Sequence, residues 1–241
     1  MPPPLNLQPV LEWIGDRHLR IGLGTAISPQ AHRRVRASLA RVMGAGLPGL
    51  TDAVPAYATL LLSFDLASLD PKEVQRLVVA AIGGMDADSD PATDVSTRLV
   101  EIPTCYEEEF APDIDSVAGL HATTAARIAE LHAAAQYSVY FIGFSPGFAY
   151  LGGLPSQLAT PRLDRPRTRV PEGSVGIADD QSGIYPHATP GGWRLIGRTP
   201  LKMFDPARAS PSLLEMGDRV QFKPISAEEF AAIAATQKAG A

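Results

Sequence analysis

Residues 139–205 read VYFIGFSPGFAYLGGLPSQLATPRLDRPRTRVPEGSVGIADDQSGIYPHATPGGWRLIGRTPLKMFD. Short apolar runs alternate with breaks rich in glycine and proline, which predicts short strands joined by turns and a closed or nearly closed barrel. Glycine admits backbone conformations closed to other residues, and proline fixes φ while removing a donor. Together they specify loops that are held in shape, at a density a packing core does not need. The stretch is therefore expected to carry the functional site as well as the sheet.

Upstream, HLRIGLG (residues 18–24) reads as a strand after a proline-rich lead. Ser28 followed by Pro29 starts a helix in which Val35, Leu39, Val42 and Met43 recur at helical spacing until Gly44 and Gly46. LTDAVPAYATLLLSF gives two strands broken near Pro55, and Asp70 with Pro71 starts a second helix through Leu77, Val78 and Ile82. The order β-α-β-β-α, with room for a final strand, predicts a small ferredoxin-like domain over residues 1–84. The acidic, aperiodic MDADSDPATDVST (residues 85–97) reads as the linker. RLVEIPTCY opens the β-rich second domain, residues 98–225, with a helix from about Thr124 and a buried strand YSVYFIGF. Ser226 and Glu229 form a capping box for a last helix and tail, residues 226–241. The fold class is thus α+β.

Composition narrows the function. The 241 residues are 45% hydrophobic and carry a formal net charge of -5, ordinary for a globular chain and contrary to nucleic acid or an anionic membrane as main partner. The single cysteine, Cys105, rules out an internal disulfide and suits a reducing compartment. No apolar run approaches a membrane span and the N-terminus lacks a signal-peptide pattern, so cytoplasm is the expected location.

GFSPG (residues 143–147) matches the G-x-S-x-G pattern of serine hydrolases, with Asp164 and His187 in the hydrolase order. In that elbow the residue after serine supplies an oxyanion N–H and begins a helix; here it is Pro146, which has no N–H. A rigid turn shaped by Pro146 and Gly147, aiming Phe144 and Phe148, is the better reading. In PRLDRPRTRVP, Arg165, Arg167 and Arg169 alternate, so an extended chain puts them on one face, with Arg162 adding a fourth charge. Guanidinium forks suit carboxylate and phosphate, and Arg167 and Arg169 are the expected anion contacts; the competing reading is a solvated loop. QSGIYPHATPGGWRLIGRTP offers Gln181, Tyr185, Thr189, Gly191, Gly192, Trp193 and Arg198 as a ligand- or partner-facing set, against a tight barrel corner with Trp193 as core filler. His187 is a candidate acid or base by residue type and is assigned no role. Cys105 reads as a small buried hydrophobe. No residues stand at metal-ligand spacing, and no Gly-Lys dipeptide marks a P-loop.

VYFIGFSPGFAYLGGLP, PRLDRPRTRVP, GSVGIADDQSGIYP, ATPGGWRLIGRTPLKMFDP and LLEMGDRVQFKPI together resemble the KipI/PxpB family, also known as allophanate hydrolase subunit 1 or as the B subunit of 5-oxoprolinase. The resemblance covers nearly the whole chain. It implies a cyclophilin-like barrel and an ATP-hydrolysing 5-oxoprolinase that opens 5-oxo-L-proline to L-glutamate with PxpA- and PxpC-like subunits, the latter also called allophanate hydrolase subunit 2. ATP would be a substrate of the complex, and the chain alone would be inactive. Alternatives within the resemblance are a KipI-type histidine kinase inhibitor and a urea or allophanate carboxyltransferase subunit with a biotin-carrying partner. Glu107, Glu108 and Glu109 depart from the glycine-rich turn expected after EIPTCY.

Overall fold

The computed structural model describes residues 9–67, 69–84 and 98–239. The chain divides into two compact units, Met1–Ser96 and Thr97–Ala241. The expected linker, residues 85–97, lies outside the described residues.

The first unit runs β1 (Val10–Ile14), β2 (His18–Gly22), α1 (Pro29–Gly44), β3 (Leu50–Pro55), β4 (Thr59–Phe64) and α2 (Pro71–Ile82). Its antiparallel sheet has the order β1-β2-β4-β3. Both helices start as their sequences dictate. The extended Ser28 accepts through Oγ from Ala31 N at 3.1 Å, and Asp70 accepts from Lys72 N at 3.0 Å, each with proline in the first turn. Alternation along β2 and β4 buries Leu19, Ile21, Leu60, Leu62 and Phe64 on one sheet face; Val35 and Val42 of α1 and Val74, Val78 and Ile82 of α2 are buried as well. Each such side chain contributes roughly 1.5–3 kcal/mol of transfer free energy. Met43, expected on the buried face, is exposed.

The described elements do not confirm the ferredoxin-like expectation. An additional strand, β1, precedes the first one read from the sequence, so the described order is ββαββα. Its burial alternates between exposed and half-buried, and among the described residues it pairs with one neighbour only. That weak pattern, inside a lead marked by prolines, hid it. The final strand expected after α2 would fall outside the described residues.

The second unit contains β5 (Leu99–Cys105), α3 (Ile114–Leu120), α4 (Ala125–Ala134), β6 (Gln136–Ile142), β7 (Ala149–Gly152), β8 (Arg167–Val170), β9 (Ser174–Ala178), β10 (Gln181–Ile184), β11 (Thr189–Gly191), β12 (Arg194–Arg198), β13 (Arg219–Ile225) and α5 (Ala227–Ala239). Seven of the described strands close a barrel in the order β10-β7-β6-β13-β5-β12-β9, with β9 pairing back onto β10. β5 and β13 run parallel and the other barrel pairs antiparallel. β8 and β11 stand apart as a two-stranded ribbon. Tyr137, Val139, Leu151, Val175, Ile177, Ile184, Ile196, Val220 and Phe222 belong to the core, all fully buried.

The capping box holds: Ser226 N donates to Glu229 Oε2 at 2.8 Å and Glu229 N to Ser226 Oγ at 3.2 Å. The unusual carboxylate turn takes part as well. Glu107 accepts from Ala227 N at 2.9 Å, adding a cap to the start of α5, while Phe110 packs on Phe230 with ring centroids 4.5 Å apart. α3 was not legible in the sequence, because seven residues give too little periodicity.

Candidate functional site

The site grows from the turn between β6 and β7. Gly143 N donates to Phe148 O at 3.0 Å and Phe148 N to Ser145 O at 3.0 Å, closing a tight loop. Within it Phe144 takes a left-handed φ of 64° and Gly147 one of 81°. Phe144 is 62% exposed on the lip, whereas Phe148 is buried, edge-on to it at 5.4 Å. A Cβ on Gly147 would stand 2.6 Å from Phe204 Cβ. Gly147→Val should therefore destabilise the unit by about 1–3 kcal/mol, through strain and overpacking together. Ser145 Oγ is buried with no hydrogen-bond partner among the described residues, and the chain continues into a strand where a nucleophile elbow needs a helix. Ser145→Ala should leave stability and complex activity near the parent's; thermal melts and turnover of both variants check the pair.

The arginine segment is divided by its surroundings. Arg167 Nη2 donates to Asp113 Oδ1 at 2.6 Å, while Asp113 Oδ2 accepts from Leu195 N at 2.7 Å. Asp113 is itself buried and precedes α3, so this pair fastens the β8–β11 ribbon to β12. Arg167 is a structural tie here, contrary to the expected anion contact. Arg165 and Arg169 are exposed. Arg162, also exposed, lies with its guanidinium carbon 6.0 Å above the Trp193 ring and its Nε 3.8 Å from Asp179.

Between the turn, the ribbon and β10 lies a groove of about 290 Å³ lined by Phe144, Phe148, Tyr150, Arg162, Leu163, Pro166, Tyr185, Pro190, Gly191, Gly192 and Trp193. Its floor is a ring cluster centred on Phe148, with Tyr150 at 4.8 Å, Tyr185 at 5.2 Å and Trp193 at 5.6 Å, all edge to face. Gly191 is needed for space: a Cβ there would stand 2.5 Å from the Tyr185 hydroxyl. Burial pushes the Tyr150 and Tyr185 phenols above their usual range, against a smaller downward pull from Arg162. For Tyr185 the Trp193 backbone N–H, donating to its oxygen, also opposes the rise. Both phenols are neutral at physiological pH.

Of the residues singled out in the sequence, Phe144, Phe148, Arg162, Tyr185, Gly191, Gly192 and Trp193 meet in this groove. Pro146 and Gly147 shape its lip. Gln181 is buried within β10, and Thr189 pairs with Val170 in the ribbon. Arg198 lies in a separate cavity of about 390 Å³ beside α5, its Nε donating to Glu172 O at 2.7 Å and its guanidinium over Phe230. Tyr150, Leu163, Pro166 and Pro190 were missed. Tyr150 carried a signal: two residues after Phe148, it falls on the same strand face. Cys105 is buried and burial pushes its thiol up, as befits a core hydrophobe. Among the described residues no three His, Cys, Asp or Glu side chains could share a metal ion, and no helix is long and apolar enough to cross a membrane.

This geometry has known counterparts. The family described as carboxyltransferase domain, subdomain C and D, matches residues 9–214. The chain belongs to that family. It is 38% identical over 230 residues to the B subunit of 5-oxoprolinase from Bacillus subtilis (strain 168), covering 91% of this chain and 94% of that protein. Identity to the corresponding 5-oxoprolinase protein of Escherichia coli O157:H7, likewise named as the B subunit, is 37% over 213 residues, covering 88% and 94% respectively. These agree with the KipI/PxpB resemblance read from the motifs. The crystal structure of TTHA0988 superposes with a TM-score of 0.75 at 36% identity, over 87% of this chain and 40% of that one. This family member thus spans about two fifths of that longer chain. The Kluyveromyces lactis urea amidolyase shares the fold, with a TM-score of 0.75 at 19% identity over 96% of this chain and 16% of its own.

Proposed function

We propose that this chain is the B subunit of an ATP-dependent 5-oxoprolinase, working with PxpA- and PxpC-like partners to open 5-oxo-L-proline to L-glutamate. The carrying observation is its likeness, over 91% and 88% of this chain, to proteins named as the B subunit of 5-oxoprolinase. The groove supports a role within a complex. Among the described residues it offers rings, one cation and backbone, but no nucleophile paired with a base, since Ser145 has no partner and Asp164 and His187 are exposed.

A lactam carbonyl is a poor electrophile, and ATP coupling makes it attackable by water. This chain's contribution is then to hold and orient the substrate in a partly water-excluding pocket, leaving phosphoryl chemistry to groups supplied by the partners. The test is oxoproline-dependent ATP hydrolysis with the purified subunits in every combination. Activity should require this chain and at least one partner. Robust turnover by the chain alone would sink the reading. The fold shared with urea amidolyase motivates a carboxyltransferase alternative. Strict dependence on a biotinylated partner and indifference to oxoproline would favour it.

A further inference from the structure

Arg162 is the charged side chain of the groove lining; the other walls are rings, prolines, a leucine and glycines. Its attachment is loose. Arg162 and its carboxylate neighbour Asp179 are each more than half exposed, and the 3.8 Å separation is beyond hydrogen-bond range. An exposed pair of that kind stabilises little, so leaving it for a ligand is nearly free. Arg167 is the opposite case, bonded at 2.6 Å to a buried carboxylate that is itself fixed by a backbone N–H. The two arginines therefore divide their tasks, one tying down the ribbon and one left to meet what enters.

Volume and charge restrict the guest. At about 290 Å³ the groove stands at the small end of the range for ligand sites, roughly 300–1,000 Å³. A single guanidinium beside two neutral phenols, in a lining otherwise of rings, prolines, a leucine and glycines, matches one carboxylate. A polyphosphate would bring several negative charges beside rings and prolines that cannot compensate them. The rings of Phe148, Tyr150 and Trp193 present faces and edges at close range, which suits a compact ring. Phe144 stands exposed at the lip in a left-handed conformation set by its turn, placed to be covered when the groove fills.

We propose that the groove is the seat of a small cyclic monocarboxylate, its ring against Trp193 and Tyr150 and its carboxylate on Arg162, and that the nucleotide is bound elsewhere. This rests on the 5-oxoprolinase reading only for the choice of 5-oxo-L-proline as first ligand; the ring-plus-carboxylate class follows from the lining.

The experiment is equilibrium dialysis of radiolabelled 5-oxo-L-proline, L-proline, 2-furoate, 2-pyrrolidinone and ATP against the full chain, alone and with its companion subunits. Parent protein, Arg162→Ala, Arg162→Lys and Phe144→Ala are compared. The expected result is that at least one cyclic carboxylate binds and loses roughly ten- to hundredfold in affinity with Arg162→Ala, as removal of a charged hydrogen bond does. Arg162→Lys should recover part of it, Phe144→Ala should weaken it less, and 2-pyrrolidinone, lacking the carboxylate, should ignore Arg162. ATP affinity should be unchanged. Binding of proline or furoate but not oxoproline, still dependent on Arg162, upholds this assignment while removing the oxoprolinase reading. If no cyclic carboxylate responds to Arg162→Ala, or ATP affinity falls by the same factor, the assignment is overturned. Because Arg162 is exposed, its variants should fold, which Trp193 fluorescence in a Trp13→Phe background verifies.

Discussion

Asp113→Ala is expected to lower the stability of the barrel unit by about 3 kcal/mol and to loosen the ribbon that walls the groove. Removing one partner of a buried ion pair typically costs about 3–5 kcal/mol, because the other charge stays behind uncompensated. The low end applies here, since the Arg167 side chain keeps 29% of its exposure. The loss reaches further than one bond. Leu195 N would lose its acceptor, and Arg167 Nη1, already buried without a partner among the described residues, would be joined by an unfilled Nη2. Asp113 thus serves two donors at once, and a single substitution orphans both. Arg169→Ala, on the same ribbon but exposed, should change stability by no more than about 0.5 kcal/mol. Urea denaturation of both variants and of Asp113→Leu with Arg167→Leu decides the matter. The double apolar replacement should recover part of the loss, since neither charge is then stranded. An Asp113→Ala protein as stable as the parent would show the pair to be ornamental.

That pair also marks where the sequence stops being readable. Helix starts at Ser28 and Asp70, the capping box at Ser226 and the turn at Gly147 are local, written within four or five residues, and the structure has them as read. The closed barrel was legible as a class because turn signals recur through residues 139–205. What could not be read is pairing at a distance. Asp113 and Arg167 are 54 residues apart, and nothing near either says which arginine of four finds a buried carboxylate. Alternation alone put Arg165, Arg167 and Arg169 on one face and treated them alike; their tertiary surroundings then gave them different work. Arg198 was grouped with the groove for its neighbours in sequence, yet β12 carries it away to α5. The strand β1 escaped for a different reason: an edge strand has one neighbour and half a buried face, so its pattern is weak.

Acid should destabilise both units well above the pH at which carboxylates protonate, and two buried histidines are the cause. His132 is fully buried inside the barrel unit, with Tyr106 Oη 2.8 Å from Nδ1 and Ser182 Oγ 3.1 Å from Nε2. Tyr106 donating to Nδ1, Nε2–H donating to Ser182, and Ser182 donating to Gly176 O at 3.3 Å make a complete chain for the neutral ring. The rings of Phe222, Tyr137 and Tyr106 surround it. Burial lowers its pKa from 6.5 to about 3. In the first unit His32, on α1, is lowered to about 4, chiefly by burial and then by Arg36 and Arg33. Since the folded state holds both rings neutral, the unfolded chain takes up protons that the folded chain refuses. Their contribution is whole above the unfolded value of 6.5 and is lost as pH falls toward the folded pKa values. At about pH 5 each unit should have lost about 2 kcal/mol, since one pKa unit is worth about 1.4 kcal/mol. Urea titrations at neutral pH and near pH 5 measure this directly. His132→Gln should flatten the pH dependence of the barrel unit and leave that of the first unit intact. If that variant does not fold, the ring chemical shifts of His132 in the parent protein serve instead: they should report a neutral imidazole near pH 5, and a protonated ring in the folded protein at that pH would refute the account.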